Sequence, residues 1–345
     1  MMKIFKICGG QSTRLGNLPA YLRRCNFCPI LAKASNYLKM KVIIIFFFAL
    51  SISLSVCLAQ VKNYYISPDS TYPGIEKIHS GHFVTVNMSN TSGKKLLISI
   101  PGTTGPGDVM KSFDSVAALE GYHAISIDYP NNRNTATFIN STDKTAFNKF
   151  RQELDFGTPV SDSVNVDSLN SIINRITKLV IYLAKTRPGE GWNNFLDHEQ
   201  IIWERVTLAG HSQGAGHVSY IGHTFKVHKV IMLSGPQDFL VNFDMPAPWL
   251  SAPSKTPYSS YYAFLHDDDA YNTQRQIRNG LAAMHADSSV IYRFQYMNAF
   301  PKQDRIFISD IQVQQNEPQQ NTGSLNHMST IMPMHSKVWI WLLKN

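Results

Sequence analysis

An α/β fold with a mostly parallel central sheet and helices on both faces is what this sequence predicts, and three observations carry it. Short, continuously apolar runs alternate with longer stretches whose apolar residues recur at helical spacing. The runs lack the polar alternation of a half-exposed strand, so they read as strands covered on both faces. One of them breaks abruptly into a helical pattern at Gly210-His211-Ser212-Gln213-Gly214.

In chain order, strands are expected at Phe83–Met88, Lys95–Ile100, Tyr122–Asp128, Arg205–Gly210, Val227–Ser234, Tyr261–His266 and Arg305–Ile311. Helices are expected at Met110–Glu120, Val166–Thr186, Gln213–Phe225, Thr273–Met284 and Ser336–Lys344. The second has the clearest stripe, with Leu169, Ile172, Ile173, Ile176, Leu179, Val180 and Leu183 on one face. No repeat and no low-complexity linker interrupts the series apart from a Gln/Asn-rich loop at Gln312–Asn326, so residues 60–345 read as a single domain.

Charge and cysteine content are misleading as averages. The chain has 345 residues and a formal charge of +8, but residues 1–59 hold eight Lys and Arg residues and no acid. The remainder balances 24 basic against 24 acidic groups, so nothing in the expected domain favours a nucleic-acid partner. All four cysteines also fall before residue 60; Cys25 and Cys28 lack the two further ligands of a structural zinc site.

Val42–Leu58 is a 17-residue uncharged apolar run behind Lys39 and Lys41, and Cys57-Leu58-Ala59 supplies a small-x-small exit before Gln60. With Met40 as the start, residues 40–59 form a signal peptide, and residues 1–39 are a non-native or disordered extension. The expected location is then secreted or periplasmic. The alternatives are an uncleaved anchor, for which the run is slightly short, or a lipid anchor at Cys57. A membrane partner is expected only through those two routes.

A strand that turns into a helix at G-x-S-x-G is a nucleophile elbow: the turn has no room for a Cβ two residues either side of the serine, and the strain lifts its hydroxyl above the sheet edge. The helix N-terminus behind Ser212 favours developing negative charge. A serine hydroxyl needs an adjacent base, and the base an orienting acid. An oxyanion hole needs two backbone N–H groups. Gln213, following the nucleophile, supplies one, and the loop Pro101-Gly102-Thr103-Thr104-Gly105 supplies the other, from Thr103 or, second, Thr104. That loop lacks the Gly-Lys-Ser/Thr ending of a P-loop, and no cofactor site is expected.

Val206–Tyr220 (VTLAGHSQGAGHVSY) resembles the α/β-hydrolases, as do Pro101-Gly102-Thr103 after a strand and Pro246-Ala247-Pro248-Trp249 before another. The likeness spans roughly residues 80–345. It is nearest to exported bacterial serine esterases, and the Ser-Gln-Gly-Ala core is similar to that of cutinases and lipases. The resemblance implies an α/β-hydrolase fold and the chain order serine, acid, histidine. It places the acid three residues past a strand-end turn residue, which maps it to Asp269 with His266 at the turn. Asp268 and Asp238 stay as rivals, the latter because some members carry their acid after the preceding strand. Downstream of Asp269 only His285, His327 and His335 remain. His327 lies in the polar stretch between the last strand and the terminal helix, where the fold presents its base.

The expected activity is therefore cleavage of a carboxylic ester, small or polymeric, through an acyl-enzyme, with a rate rising around pH 6–7 (roughly) as an ordinary histidine deprotonates. The competing readings are a hydrolase-like binding or surface protein without catalysis, and a serine peptidase or amidase on the same fold. About 26 residues separate Ser234 from Tyr261, too few for a large lid there, whereas Tyr129–Asp167 is long enough to cover the site. Trp192, Met245, Trp249, Tyr258 and Tyr261 are candidates for an acyl or aromatic pocket, and each is equally explained by packing.

Overall fold

The computed structural model describes residues 61–295, 301–314 and 321–345. The expected extension and signal peptide lie outside the described residues. Nine strands make one sheet: β1 (Val61–Ile66), β2 (His82–Asn87), β3 (Leu96–Ile100), β4 (His123–Ser126), β5 (Val206–His211), β6 (Lys229–Leu233), β7 (Tyr261–His266), β8 (Ile291–Phe294) and β9 (Ile306–Ser309). Their spatial order is β1-β2-β4-β3-β5-β6-β7-β9-β8. The β1/β2 and β2/β4 pairs are antiparallel, and every neighbour from β4 to β8 is parallel. This is the mostly parallel α/β arrangement that the sequence leads one to expect.

The helices are α1 (Pro68–Thr71), α2 (Lys111–Leu119), α3 (Ala146–Phe156), α4 (Ile172–Thr186), α5 (Gln213–Thr224), α6 (Thr273–Met284), α7 (Thr322–Ser329) and α8 (Ser336–Lys344). Strand alternation splits the core in two. Leu96, Ile98 and Ile100 of β3 join Phe147, Phe150, Ile176, Leu179, Val218 and Ile221 on one face of the sheet. Leu97 joins Phe113 of α2 and Val338, Trp339 and Leu342 of α8 on the other. Each such side chain stabilises the fold by roughly 1.5–3 kcal/mol against exposure.

Six elements differ from expectation: α1, α3, α7, β1 and β8 have no counterpart in the expected series, and α4 is shorter. Helix α4 starts at Ile172 rather than Val166, because Ser171 caps it by accepting from the Asn174 N–H at 3.3 Å. Helix α3 has Phe147, Phe150 and Leu154 at helical spacing, but it also buries Arg151, Glu153 and Asp155, which hide the stripe. It forms 11 of the 39 residues of the segment considered as a cover. Strands β1 and β8 are edge strands with mixed burial, so neither shows a continuous apolar run. Between β6 and β7 the chain has only short 3₁₀ turns and two-residue bridges, and no large lid occurs among the described residues. No helix among them is long and apolar enough to cross a membrane.

Candidate active site

The carboxyl ends of β3, β5, β7 and β9 point to one side of the sheet, where ligands bind in open α/β sheets. Ser212 follows the last residue of β5 and precedes the first of α5, at φ 57° and ψ −119°. For a serine this backbone conformation costs on the order of 1–3 kcal/mol. Both flanking glycines are needed: a Cβ at Gly210 would fall 2.2 Å from the Gly214 carbonyl oxygen, and one at Gly214 would fall 2.0 Å from that of Ile100. The Ser212 N–H donates to the Leu233 carbonyl at 2.8 Å, so the turn remains tied to β6.

His327 and Asp269 meet across the next two strand ends. His327 Nδ1 donates to Asp269 Oδ2 at 2.8 Å, with both side chains almost wholly buried. The other Asp269 oxygen accepts from the Tyr271 N–H at 2.8 Å, and the Tyr271 ring lies 4.6 Å from the imidazole. With Nδ1 engaged by Asp269, Nε2 is the ring nitrogen left for another partner. His327 lies in α7 rather than in a loop, which corrects the expected setting. His285 instead stacks on Tyr258 at 4.0 Å, and His335 is buried against Phe264.

Two further residues hold His327 from behind. Ser234 Oγ and His211 Nε2 both donate to the His327 carbonyl, at 2.6 and 3.1 Å. Burial, then the nearby His327, lowers the His211 pKa to about 3, so its ring stays neutral. The variable position before the serine is thus a structural donor, a role the pattern G-x-S-x-G gives no means of reading.

The loop after β3 packs directly on the elbow. A Cβ at Gly102 would come within 2.9 Å of Ser212 Cβ. Thr103 Oγ1 donates to Gln213 Oε1 at 2.8 Å, which joins the two residues whose amides are the oxyanion candidates. Gln213 is the first residue of α5, so its N–H has no partner within the helix. The Thr104 N–H is already committed to the Asn131 carbonyl at 3.0 Å, which favours Thr103 over Thr104. Asn131 holds the loop's shape, its Nδ2 donating to Gly102 at 2.9 Å and Gly105 at 2.8 Å.

The rival acids are engaged elsewhere. Asp238 is fully buried and accepts from Arg151 Nη2 at 2.6 Å, Arg151 Nε at 3.1 Å and Trp249 Nε1 at 3.0 Å. Arg151 also donates to the Gln213 carbonyl at 2.8 Å, bracing the start of α5. Asp268 is exposed and accepts from Gln312 Nε2 at 3.0 Å. Ser212 and His327 line one cleft of about 310 Å³ with Thr103, Asn134, Thr135, Gln237 and Ser324, and with Val109, Met328 and Tyr271 as its apolar part. Trp192, Met245, Trp249, Tyr258 and Tyr261 do not line it. Trp192 packs on His123 and Phe195, Trp249 on Tyr220, and Tyr261 is core, so packing accounts for them.

No protein-family model and no curated protein matches the chain. Among solved structures it is similar to an esterase of Pyrococcus furiosus, with a TM-score of 0.41 and 10% identity over 83% of this chain and 92% of that one. A likeness of that degree carries no conclusion about activity, which is argued from the residues alone.

Proposed function

We propose that the protein is a serine hydrolase that cleaves carboxylic esters through an acyl-enzyme intermediate, with Ser212 as nucleophile, His327 as base and Asp269 as the orienting acid. The observation that carries this reading is the buried His327–Asp269 hydrogen bond beside a serine held in an elbow conformation. His327 Nε2 takes the Ser212 proton as Oγ attacks the ester carbonyl. The negative charge that develops on the carbonyl oxygen is held by the Thr103 and Gln213 N–H groups, each worth about 3 kcal/mol in the transition state. Asp269 fixes the tautomer and stabilises the imidazolium. His327 then protonates the leaving alcohol, and water attacks the acyl-enzyme by the same route.

The test is labelling of the protein by a fluorophosphonate, with p-nitrophenyl acetate turnover measured beside it. Ser212→Ala is expected to lose both while its circular dichroism and Tm are retained. Labelling that survives in the variant overturns the assignment, and a folded wild type that never labels favours a non-catalytic binding protein. Peptide amides cleaved faster than esters would instead indicate a peptidase. Export belongs to the same proposal: the secreted protein is expected to begin at Gln60, which N-terminal sequencing reads directly.

A further inference from the structure

Beside the Ser212 cleft lies a second and larger one of about 630 Å³, whose walls include Lys77, His79, Asn131, Asn132, Arg133 and Asn165. We infer that this cleft binds an anionic portion of the substrate whose ester is cleaved at Ser212. The inference rests on the proposed hydrolase reading for its ester, and on separate observations for its anion.

Charge is the first of these. No carboxylate is among the residues that line the cleft, whereas Lys77 and Arg133 are exposed cations on it; His79, also on its wall, has its Nδ1 3.9 Å from Asp128 Oδ1. Two nearby acids are already hydrogen-bonded: Asp128 is buried behind the wall, and Asp167 is exposed and close enough to Lys77 to interact with it. Asp128 accepts from the Ser80 N–H at 2.7 Å and Ser80 Oγ at 2.9 Å, and pairs with the buried Arg175 at 3.3 Å. Asp167 accepts from the backbone and side-chain N–H groups of Asn170 at 2.9 and 3.0 Å. Lys77 Nζ donates to the Asn165 carbonyl, and Arg133 lies 5.8 Å over the Phe138 ring; neither contact neutralises its charge. A guanidinium and an ammonium on one concave surface, with side-chain amides around them, suit a carboxylate, sulfate or phosphate on a hydroxylated molecule.

Continuity is the second. Residues 131–135 form a ridge shared by the two clefts: Asn131, Asn132 and Arg133 line the cationic one, and Asn134 and Thr135 line the one with Ser212. Asn131 fastens that ridge to the Gly102–Gly105 loop through both its side chain and its carbonyl. Five residues span at most about 18 Å even when fully extended, which is within the length of a short oligosaccharide. One substrate can therefore reach from an ester at Ser212 to an anionic group beside Arg133.

The experiment pairs binding with turnover on the full protein. Calorimetry with unesterified tri-galacturonate tests the anion cleft without any need for catalysis. Measurable binding is expected, weakening at least about tenfold in the Lys77→Ala/Arg133→Ala variant and at high salt. Acetylated oligosaccharides of equal length, neutral, uronate-bearing or sulfated, then test the linkage. The anionic esters are expected to have the higher kcat/KM in wild type but not in the variant, whose p-nitrophenyl acetate kinetics stay unchanged. The better of the uronate and sulfated esters identifies the anion. Absence of calorimetric binding to tri-galacturonate and to its sulfated counterpart, or a preference that survives in the variant, overturns the inference. Loss of fluorophosphonate labelling would instead count against the hydrolase reading alone.

Discussion

Asp269 Oδ2 lies 2.8 Å from His327 Nδ1, 58 residues away in sequence, and the contact is buried on both sides. Asp238, the other plausible acid, is held equally firmly by a different partner, Arg151. The two aspartates therefore have separable consequences. Asp269→Asn is expected to lower kcat by about 10³–10⁴ with little change in Tm, because the amide favours the wrong imidazole tautomer. Asp238→Asn leaves Arg151 as an uncompensated buried charge, and is expected to cost about 3–5 kcal/mol of stability. Ester kinetics together with denaturant unfolding check both, and the reverse pattern would move the acid to Asp238.

How much of this was legible in the sequence varies with the physics of each part. Continuous apolar strands and the paired glycines around Ser212 follow from local sterics, so sheet and elbow could be read directly. Thr103, Gln213 and Asp269 could be proposed because each follows a strand end within three residues, whereas His327 follows from chain order and elimination and lies in α7. Arg151 could not: its partners Asp238 and Gln213 are 87 and 62 residues distant, and a buried arginine among the polar residues of α3 carries no local signal. Asn131, Ser234 and Arg133 escape reading for the same reason. Their roles exist only once separate loops meet.

Acid is expected to destabilise the fold. Burial lowers His82 and His211 to about 3, lowers His223 and His335 to about 4, and drives His217 well below the ordinary value of 6.5. The unfolded chain protonates these groups near pH 6.5 while the folded one does not, so unfolding takes up protons and stability falls as pH drops from 6.5 towards 4. Asp114 acts with the opposite sign, since burial raises it to about 7 against the hydrogen bond from Ser99, and Asp155 is raised likewise. The histidines outnumber these two carboxyls. Melts across pH 8 to 4 are expected to give a Tm that declines below about pH 6.5, and a Tm rising over that interval would contradict the assignment.

Asp114 offers an internal check on that balance. Its carboxyl, 2.5 Å from Ser99 Oγ, is buried and must ionise in the folded state above about pH 7. Asp114→Asn removes that cost, so it is expected to raise Tm at pH 8. The gain is expected to shrink as pH falls towards 5, where the native carboxyl is already protonated. A gain independent of pH would mean that packing, not ionisation, sets the difference.

The Ser212 cleft is small for a binding site, about 310 Å³, and much of its wall is hydroxyl and amide. Short acyl groups are therefore expected to be favoured. In a p-nitrophenyl ester series, acetate or butyrate is expected to exceed octanoate in kcat/KM by about tenfold or more. A profile that climbs towards palmitate would require an acyl site beyond these walls.

Gly102 is where the oxyanion loop and the elbow come closest. A methyl group there would lie 2.9 Å from Ser212 Cβ, 3.2 Å from the His211 carbonyl oxygen and 3.4 Å from His211 Nδ1. All three neighbours are fixed, His211 by its bond to the His327 carbonyl and Ser212 by its bond to Leu233. Relief has to come from the loop, which moves the Thr103 amide away from the ester oxygen. Gly102→Ala is therefore expected to lower kcat by about 10²–10³, the loss of one oxyanion donor, with KM changed far less. Fluorophosphonate labelling is expected to slow in parallel, because the same amide holds the phosphonyl oxygen. A variant with normal kcat would show that the Thr103 amide does not serve the transition state.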